Sequence, residues 1–278
     1  MLNYFNRINR INHNAMLSDL LNMRLPNVRY ERISWIVFLL ITALILLSAV
    51  TRKKNSFASE TDVEIVPLES GRAMLGDRDV RQNLLQAFGN TLEGTELADL
   101  EVDRMERVLE TDPFVEDAEV FVGQSNALHV KIRQREPILR VLDNNGGNYF
   151  LDNDGAKIPT SSLYTPRVMV ATGNIAPYTA DFQEKKRNTL KDLFALTKFL
   201  LDDPVWSTFI QQIHVNNANE FVLVPLVGDQ KIILGSIKNL ENKLNRLKIF
   251  YQEGMPYSGW NTYNSISLKY NGQVVCKK

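Results

Sequence analysis

An uncharged run of 18 residues, Ile33 to Val50 (ISWIVFLLITALILLSAV), constrains this chain more than any other feature. A helix needs roughly 20 apolar residues to cross bilayer hydrocarbon, with about 17 as the lower limit, so the run predicts a transmembrane helix. Arg32 and Arg52 bracket it, and their long side chains can snorkel to the polar interface. Trp35 sits near one end, where interfacial aromatic residues collect. Core helices of soluble proteins rarely run so far without a charge. A cleaved signal peptide is a poorer fit: the run starts late, is long, and is followed by TRKKN rather than a small-residue cleavage site. Charge alone does not orient the span. Arg24, Arg29 and Arg32 before it balance Arg52, Lys53 and Lys54 after it, so the positive-inside rule ties.

Bulk composition narrows the function classes. The 278 residues suffice for one large domain or two modest ones. With 32 basic and 32 acidic residues and a formal charge of +0, the chain lacks the basic imbalance expected of a nucleic-acid binder. Cys276 is the single cysteine, so no disulfide forms within the chain. His13, His129 and His214 are scattered and make no metal-ligand spacing. No G-x-S-x-G, H-E-x-x-H or phosphate-binding loop is present. DNDG at 152–155 shares the opening of a calcium loop, but the twelfth position is Leu163 instead of Glu, and a plain turn is the expectation. No catalytic residue, metal ligand or cofactor site is identified.

Along the chain, residues 1–32 read as an Asn- and Arg-rich tail in which MLSDLLNMRL has helical character, and 51–61 as a polar linker. Ordered patterning begins at 62. DVEIV alternates as a strand. Asp77 is placed to cap a helix carrying Val80, Leu84, Leu85 and Phe88, which Gly89 ends. A second helix spans about Val102 to Leu109 and stops before Asp112-Pro113. Two strands follow, joined by GQSN. Ala118, Val120, Val122, Leu128, Val130 and Ile132 point inward; Asp117 and Glu119 face His129, Lys131 and Arg133 outside, which favours an antiparallel hairpin. The order over 62–136 is β-α-α-β-β, a small α+β unit.

The stretch KIRQREPILRV marks the next boundary. Arg135-Glu136-Pro137 interrupts a good strand, and proline is confined to strand starts, edges and bulges. It also forces Glu136 into an extended backbone, so these three residues predict a stiff joint between two sheets. Residues 137–275 then predict a larger, mostly antiparallel β domain with two helices. The first helix carries Leu190, Leu193, Phe194, Leu196 and Leu200 and ends at Asp203-Pro204. The second is capped by Ser236, carries Ile237, Leu240, Leu244, Leu247 and Tyr251, and is closed by Gly254. Ile266 and Leu268 alternate with Ser265, Ser267 and Lys269 in a late strand, expected at a sheet edge, with Asn271-Gly272 marking a bulge or turn. Residues 276–278 read as a tail.

The ordered set of motifs resembles the bacterial cell-division family FtsQ/DivIB. LETDPFVEDAEV at 109–120 is similar to the family's Pro-Trp-Val segment, with Pro113-Phe114 in place of Pro-Trp. VKIRQREP at 130–137, FLDNDGAKIP at 150–159, and FVLVPLVGDQKIILG followed by ENKLNRL match in sequence. SISLKY at 265–270 departs from the family pattern by lacking an Asp and an Arg, while Tyr270 remains. The resemblance implies a non-enzymatic scaffold of the divisome with a POTRA-like domain at 62–136. It also implies an inner-membrane anchor with the N-terminus cytoplasmic and the bulk extracytoplasmic at the septum. It implies partners of the FtsB/DivIC and FtsL type on the last strand, through Ser267, Lys269, Tyr270, Gly272 and Val274, and other division proteins on the POTRA-like domain. Two other readings share some of these features: an outer-membrane assembly or secretion factor carrying a POTRA unit, and an anchored extracytoplasmic enzyme.

Overall fold

A computed structural model describes residues 30–54, 56–89, 92–260 and 262–278. The expected tail, with its MLSDLLNMRL segment, lies outside the described residues up to position 29. Tyr30–Lys54 forms one 25-residue helix, α1, so the helix continues four residues into the segment expected as linker. Its described side chains, 34–50, are exposed except for half-buried Thr42, whose hydroxyl donates back to the carbonyls of Phe38 and Leu39. Among the described residues no helix is long and apolar enough to cross a membrane.

The remaining structure is built on two sheets. The first comprises β1 (Thr61–Val66), β2 (Val115–Val122) and β3 (Leu128–Gln134), in the order β1-β3-β2. Helices α2 (Asp77–Phe88) and α3 (Val102–Glu110) pack Val80, Leu84, Met105 and Leu109 into its core. Gly89 ends α2 in the left-handed conformation at φ +76°, which costs glycine no Cβ strain. Asp77 is not the cap. Gly76 holds that position, and its N–H donates to Asp79 Oδ2 at 2.9 Å. Outside, the central strand is basic and both flanks are acidic: Asp62 and Glu64 of β1 oppose His129 and Lys131, while Glu119 and Asp117 of β2 oppose Lys131 and Arg133. Exposed ion pairs contribute little stability, but a one-residue slip would set these charged residues opposite apolar ones and turn one strand's apolar set outward, so the alternation specifies register.

The second sheet has nine strands in the order β12-β11-β10-β9-β8-β7-β4-β5-β6. In chain order these are β4 (Pro137–Asp143), β5 (Asn148–Asp152), β6 (Lys157–Pro159), β7 (Met169–Gly173), β8 (Ile210–Val215), β9 (Phe221–Pro225), β10 (Lys231–Gly235), β11 (Ser265–Ser267) and β12 (Val275–Lys277). Most neighbours are antiparallel; β4/β7, β7/β8 and β10/β11 are parallel. One face is covered by α4 (Thr189–Leu201) and α6 (Leu240–Ile249), which bury Leu193, Leu196, Leu244 and Leu247 against Val141, Ala171, Ile213, Leu223 and Ile266. His214 lies on the other face, its Nδ1 3.0 Å from Thr172 Oγ1.

The helix boundaries in this domain depart from the sequence expectations at three residues. Asp203 does not end α4. It caps a further short helix, α5 (Pro204–Phe209), accepting the Val205 N–H at 2.8 Å, with Pro204 in the first turn where its missing N–H is harmless. Ser236 does not cap α6; Asn239 occupies that position in the left-handed region. Gly254 does not close the helix either, because a π-helical turn, Phe250–Gly254, leads into α7 (Met255–Ser258) and Gly259 ends it at φ +84°.

The two sheets meet at the interrupted strand. β3 stops at Gln134 and β4 starts at buried Pro137. Gln134 accepts the N–H groups of Met74 (2.8 Å) and Leu75 (3.1 Å) and donates to Val66 O (2.9 Å). Arg135 donates to Asp152 Oδ2 at 3.0 Å, and Asp152 Oδ1 accepts the N–H groups of Asp154 and Ala156. The DNDG segment is thus a turn whose carboxylate ties the two sheets. Glu136 accepts the Glu69 N–H at 3.1 Å. Beneath these bonds, Leu68 and Met74 pack with Phe150 and Ile158 in one buried cluster, flanked by Phe114, Tyr164 and Val168. Pro137 therefore shapes the boundary, while burial and hydrogen bonds hold it.

Asp152 is 7% exposed at its side chain and Arg135 23%. Asp152→Ala leaves a largely buried guanidinium and two N–H groups without their acceptor, and is expected to cost about 3 kcal/mol in denaturant unfolding of the full chain in detergent. A loss below about 1 kcal/mol, the size of an exposed pair, contradicts this account. Burial raises the Glu136 pKa above its ordinary 4.5, opposed by the Glu69 N–H and reinforced by the Glu69 carboxylate. A raised folded pKa means that stability falls as pH climbs from 4.5 through the folded value. Glu136→Gln keeps an acceptor and removes the charge, so its Tm exceeds that of the wild type at neutral pH and the gap closes below pH 4.5. A gap independent of pH would refute it.

Candidate partner-docking edge

The last strands follow from a short alternation and a turn. Ile266 and Leu268 are fully buried while Ser265 and Ser267 are half-exposed, so Ser265–Ser267 adds to β10 as the parallel strand β11. Leu268 N–H continues the contact, donating to Ile233 O at 2.9 Å. Asn271-Gly272 then turns the chain, with Gly272 at φ +69°, and β12 returns antiparallel, pairing Ser265 with Lys277, Ile266 with Cys276 and Ser267 with Val275. The residues expected on one edge strand are therefore divided. Ser267 is in β11, covered on both sides by β10 and β12. Lys269, Tyr270 and Gly272 lie in the connection, and Val274 packs inward against the core. Cys276 and Lys277, expected as tail, belong to the outermost strand. The turn at Asn271-Gly272 is what splits the single expected strand.

The two ends of the nine-stranded sheet differ. At β6, Pro159 has no N–H to offer and Ile158 is buried in the seam between the sheets. At β12, the outward backbone groups of residues 275–277 face no strand among the described residues. Unpaired edge groups are a template for strand addition. Of the expected residues, Lys269, Tyr270 and Gly272 are exposed, and Tyr270 presents a large aromatic side chain with 58% of its surface exposed. Nearby aromatic packing runs from buried Trp206 through Phe209 and Tyr251 to half-exposed Trp260, which stacks on Tyr251 at 5.6 Å. Tyr251 accepts from Gln230 Nε2 at 3.0 Å, and burial raises its pKa. Burial also pushes the Cys276 thiol up.

Three charged residues that sequence reasoning did not single out shape this edge. Lys243 of α6 is buried and donates to Leu234 O (3.0 Å) and Ser236 O (2.7 Å); burial, reinforced by the nearby Arg246, lowers its pKa. Arg246, three residues on, donates to the carbonyls of Tyr270 (2.8 Å) and Gln273 (2.5 Å). Glu220 pairs with Lys269. The available signal was the i, i+3 pair of cations in ENKLNRL on either side of buried Leu244: cations next to an apolar stripe must find oxygens. Among the described residues no group of three His, Cys, Asp or Glu side chains is placed to hold a metal ion. The arrangement offers backbone hydrogen bonds and aromatic surface, which is binding chemistry.

Two family models match the chain. One described as a POTRA-like domain covers residues 55–133. One described as FtsQ/DivIB, C-terminal related, covers residues 136–277, just over half the chain. The two meet at the point where β3 gives way to β4. No curated protein matches the chain.

The Lys269–Glu220 pair has a pH signature. The hydrogen bond from Lys269 lowers the Glu220 pKa, and the same bond raises that of Lys269. The Glu220 contribution is present above its unfolded pKa and lost as pH falls through the lowered folded value. The Lys269 contribution is present below its unfolded pKa and lost as pH rises through the raised one. Lys269→Met is therefore expected to lower Tm by its full amount between about pH 5 and pH 10, with the difference shrinking outside that window. A Tm difference that is flat from acid to neutral pH would contradict the pairing.

Proposed function

The chain belongs to the FtsQ/DivIB family, a family of membrane-anchored division proteins, and from that premise we propose that it is a non-catalytic divisome scaffold of the inner membrane. The observation that carries this reading is the family match over 136–277 on a sheet whose outermost strand, β12, keeps an edge unpaired among the described residues. Strand addition there is the physical means of recruitment: partners of the FtsB/DivIC and FtsL type bring a β-strand to residues 275–277 and pack beside Tyr270. The POTRA-like sheet, with its charged outer face, receives other division proteins. The uncharged run Ile33–Val50 supports the anchor, with the N-terminus cytoplasmic and both sheets on the extracytoplasmic side at the septum. The scaffold's output is recruitment and regulation of septal cell-wall synthesis, not a reaction of its own.

Depletion is expected to yield filamentous cells with unfinished septa, and a photo-crosslinking side chain at Tyr270 is expected to capture a single-span division protein. Normal septation after depletion overturns the reading. Capture of outer-membrane barrel proteins favours a secretion or assembly role instead. Topology is best read at Tyr257, which is 93% exposed, because Cys276 is half-buried with a raised thiol pKa. In a Cys276→Ser background, Tyr257→Cys is expected to react with an impermeant maleimide in intact spheroplasts. Reaction only after lysis would place the sheets in the cytoplasm.

A further inference from the structure

The outermost strand has little to hold it. β12 is three residues long and, among the described residues, pairs on one side only. So short an edge strand has few ladder bonds of its own to hold it. Three ties are visible. Val274 and Cys276 pack against the core. Asn264 N–H donates to Lys277 O at 2.8 Å. The third is Arg246, whose Nη1 donates to Tyr270 O and Gln273 O and whose Nη2 lies 3.5 Å from Leu268 O.

The geometry of that third tie is specific. Leu268 is where the chain leaves β11, and Gln273 is where it approaches β12. One guanidinium therefore fastens exit to entry and holds the carbonyl of displayed Tyr270 between them. Among the described residues no carboxylate lies within ion-pairing distance of Arg246, so its charge is met by backbone carbonyls. Its Nε is buried without a partner. A planar fork can meet three diverging carbonyls; a single ammonium cannot reproduce that geometry. Ordering a binding strand before its partner arrives removes an entropic cost from binding.

We propose that Arg246 is the positioning residue of the docking edge: by clamping the connection 268–273 it keeps β12 seated and in register for strand addition, and keeps Tyr270 displayed. This rests on the reading of β12 as the partner-docking strand. The test uses the full-length chain in detergent, alone and co-expressed with the FtsB/DivIC- and FtsL-type proteins of the same cell. In Arg246→Ala, amides of 275–277 should exchange about tenfold faster or more, the factor expected for one lost charge-assisted hydrogen bond, while β8 amides keep their protection. Retention of the co-expressed partners should fall by a similar factor. Arg246→Lys should restore both only in part. If Arg246→Ala unfolds, seen as lost β8 protection, Arg246→Lys carries the comparison. Unchanged exchange over 268–277 overturns the clamp. Faster exchange with undiminished partner retention overturns its role in docking. A wild-type chain that retains no partner overturns the docking reading itself, a failure visible before any substitution is made.

Discussion

Phe150 and Ile158 lie opposite each other on β5 and β6, and both are completely buried on the face turned away from the helices. What covers them is Leu68, Met74 and Phe114, contributed by the small sheet's connections. This shared burial is the constraint on which the arrangement depends. Removing a fully buried Phe side chain costs about 3–5 kcal/mol in typical cores, more than the surface charges nearby supply. The polar bonds of Gln134, Arg135 and Glu136 ring this apolar seam and give it one geometry. The POTRA-like unit and the large sheet consequently form a single compact unit.

A protein made of two open sheets has strand ends to manage. On the small sheet, Glu106 of α3 accepts the Val120 N–H of β2 at 2.9 Å, closing part of that edge from within the chain. On the large sheet, β6 carries Pro159 and is held in the seam. Among the described residues, β12 receives no such cover. The nearby cations follow the same logic. Lys243 and Arg246 direct their donors to carbonyls near the edge.

Much of the small unit was legible because its signals are local. Period two placed Ala118, Val120, Leu128, Val130 and Ile132 inside, and the burial follows that pattern. The left-handed C-cap at Gly89 was readable from glycine itself. The other caps were harder. Asp77, Ser236 and Gly254 were plausible by residue type, but Gly76, Asn239 and Gly259 hold those roles, because several nearby residues are equally suited and only backbone geometry selects among them. NYFLD carried an unread hint: three consecutive apolar residues signal a strand buried on both faces, and Tyr149, Phe150 and Leu151 are all buried. The late strand misled for a related reason. SISLKYNGQVV alternates well enough to read as one strand, and only its turn makes it two.

By itself the sequence determined the period of each element, the uncharged run near the N-terminus, the break at Arg135-Glu136-Pro137 and the family to which these belong. Those properties depend on residues within a turn or two of one another, so they are written along the chain. Tertiary structure alone decided which strand lies outermost, which face of β5 meets the small sheet, and which carbonyls Arg246 holds. Each joins residues far apart in sequence: Met74 to Gln134, Leu68 to Phe150, Arg246 to Gln273. A strand's own residues say that it will pair, but the space left by all the others decides which of its sides is left open.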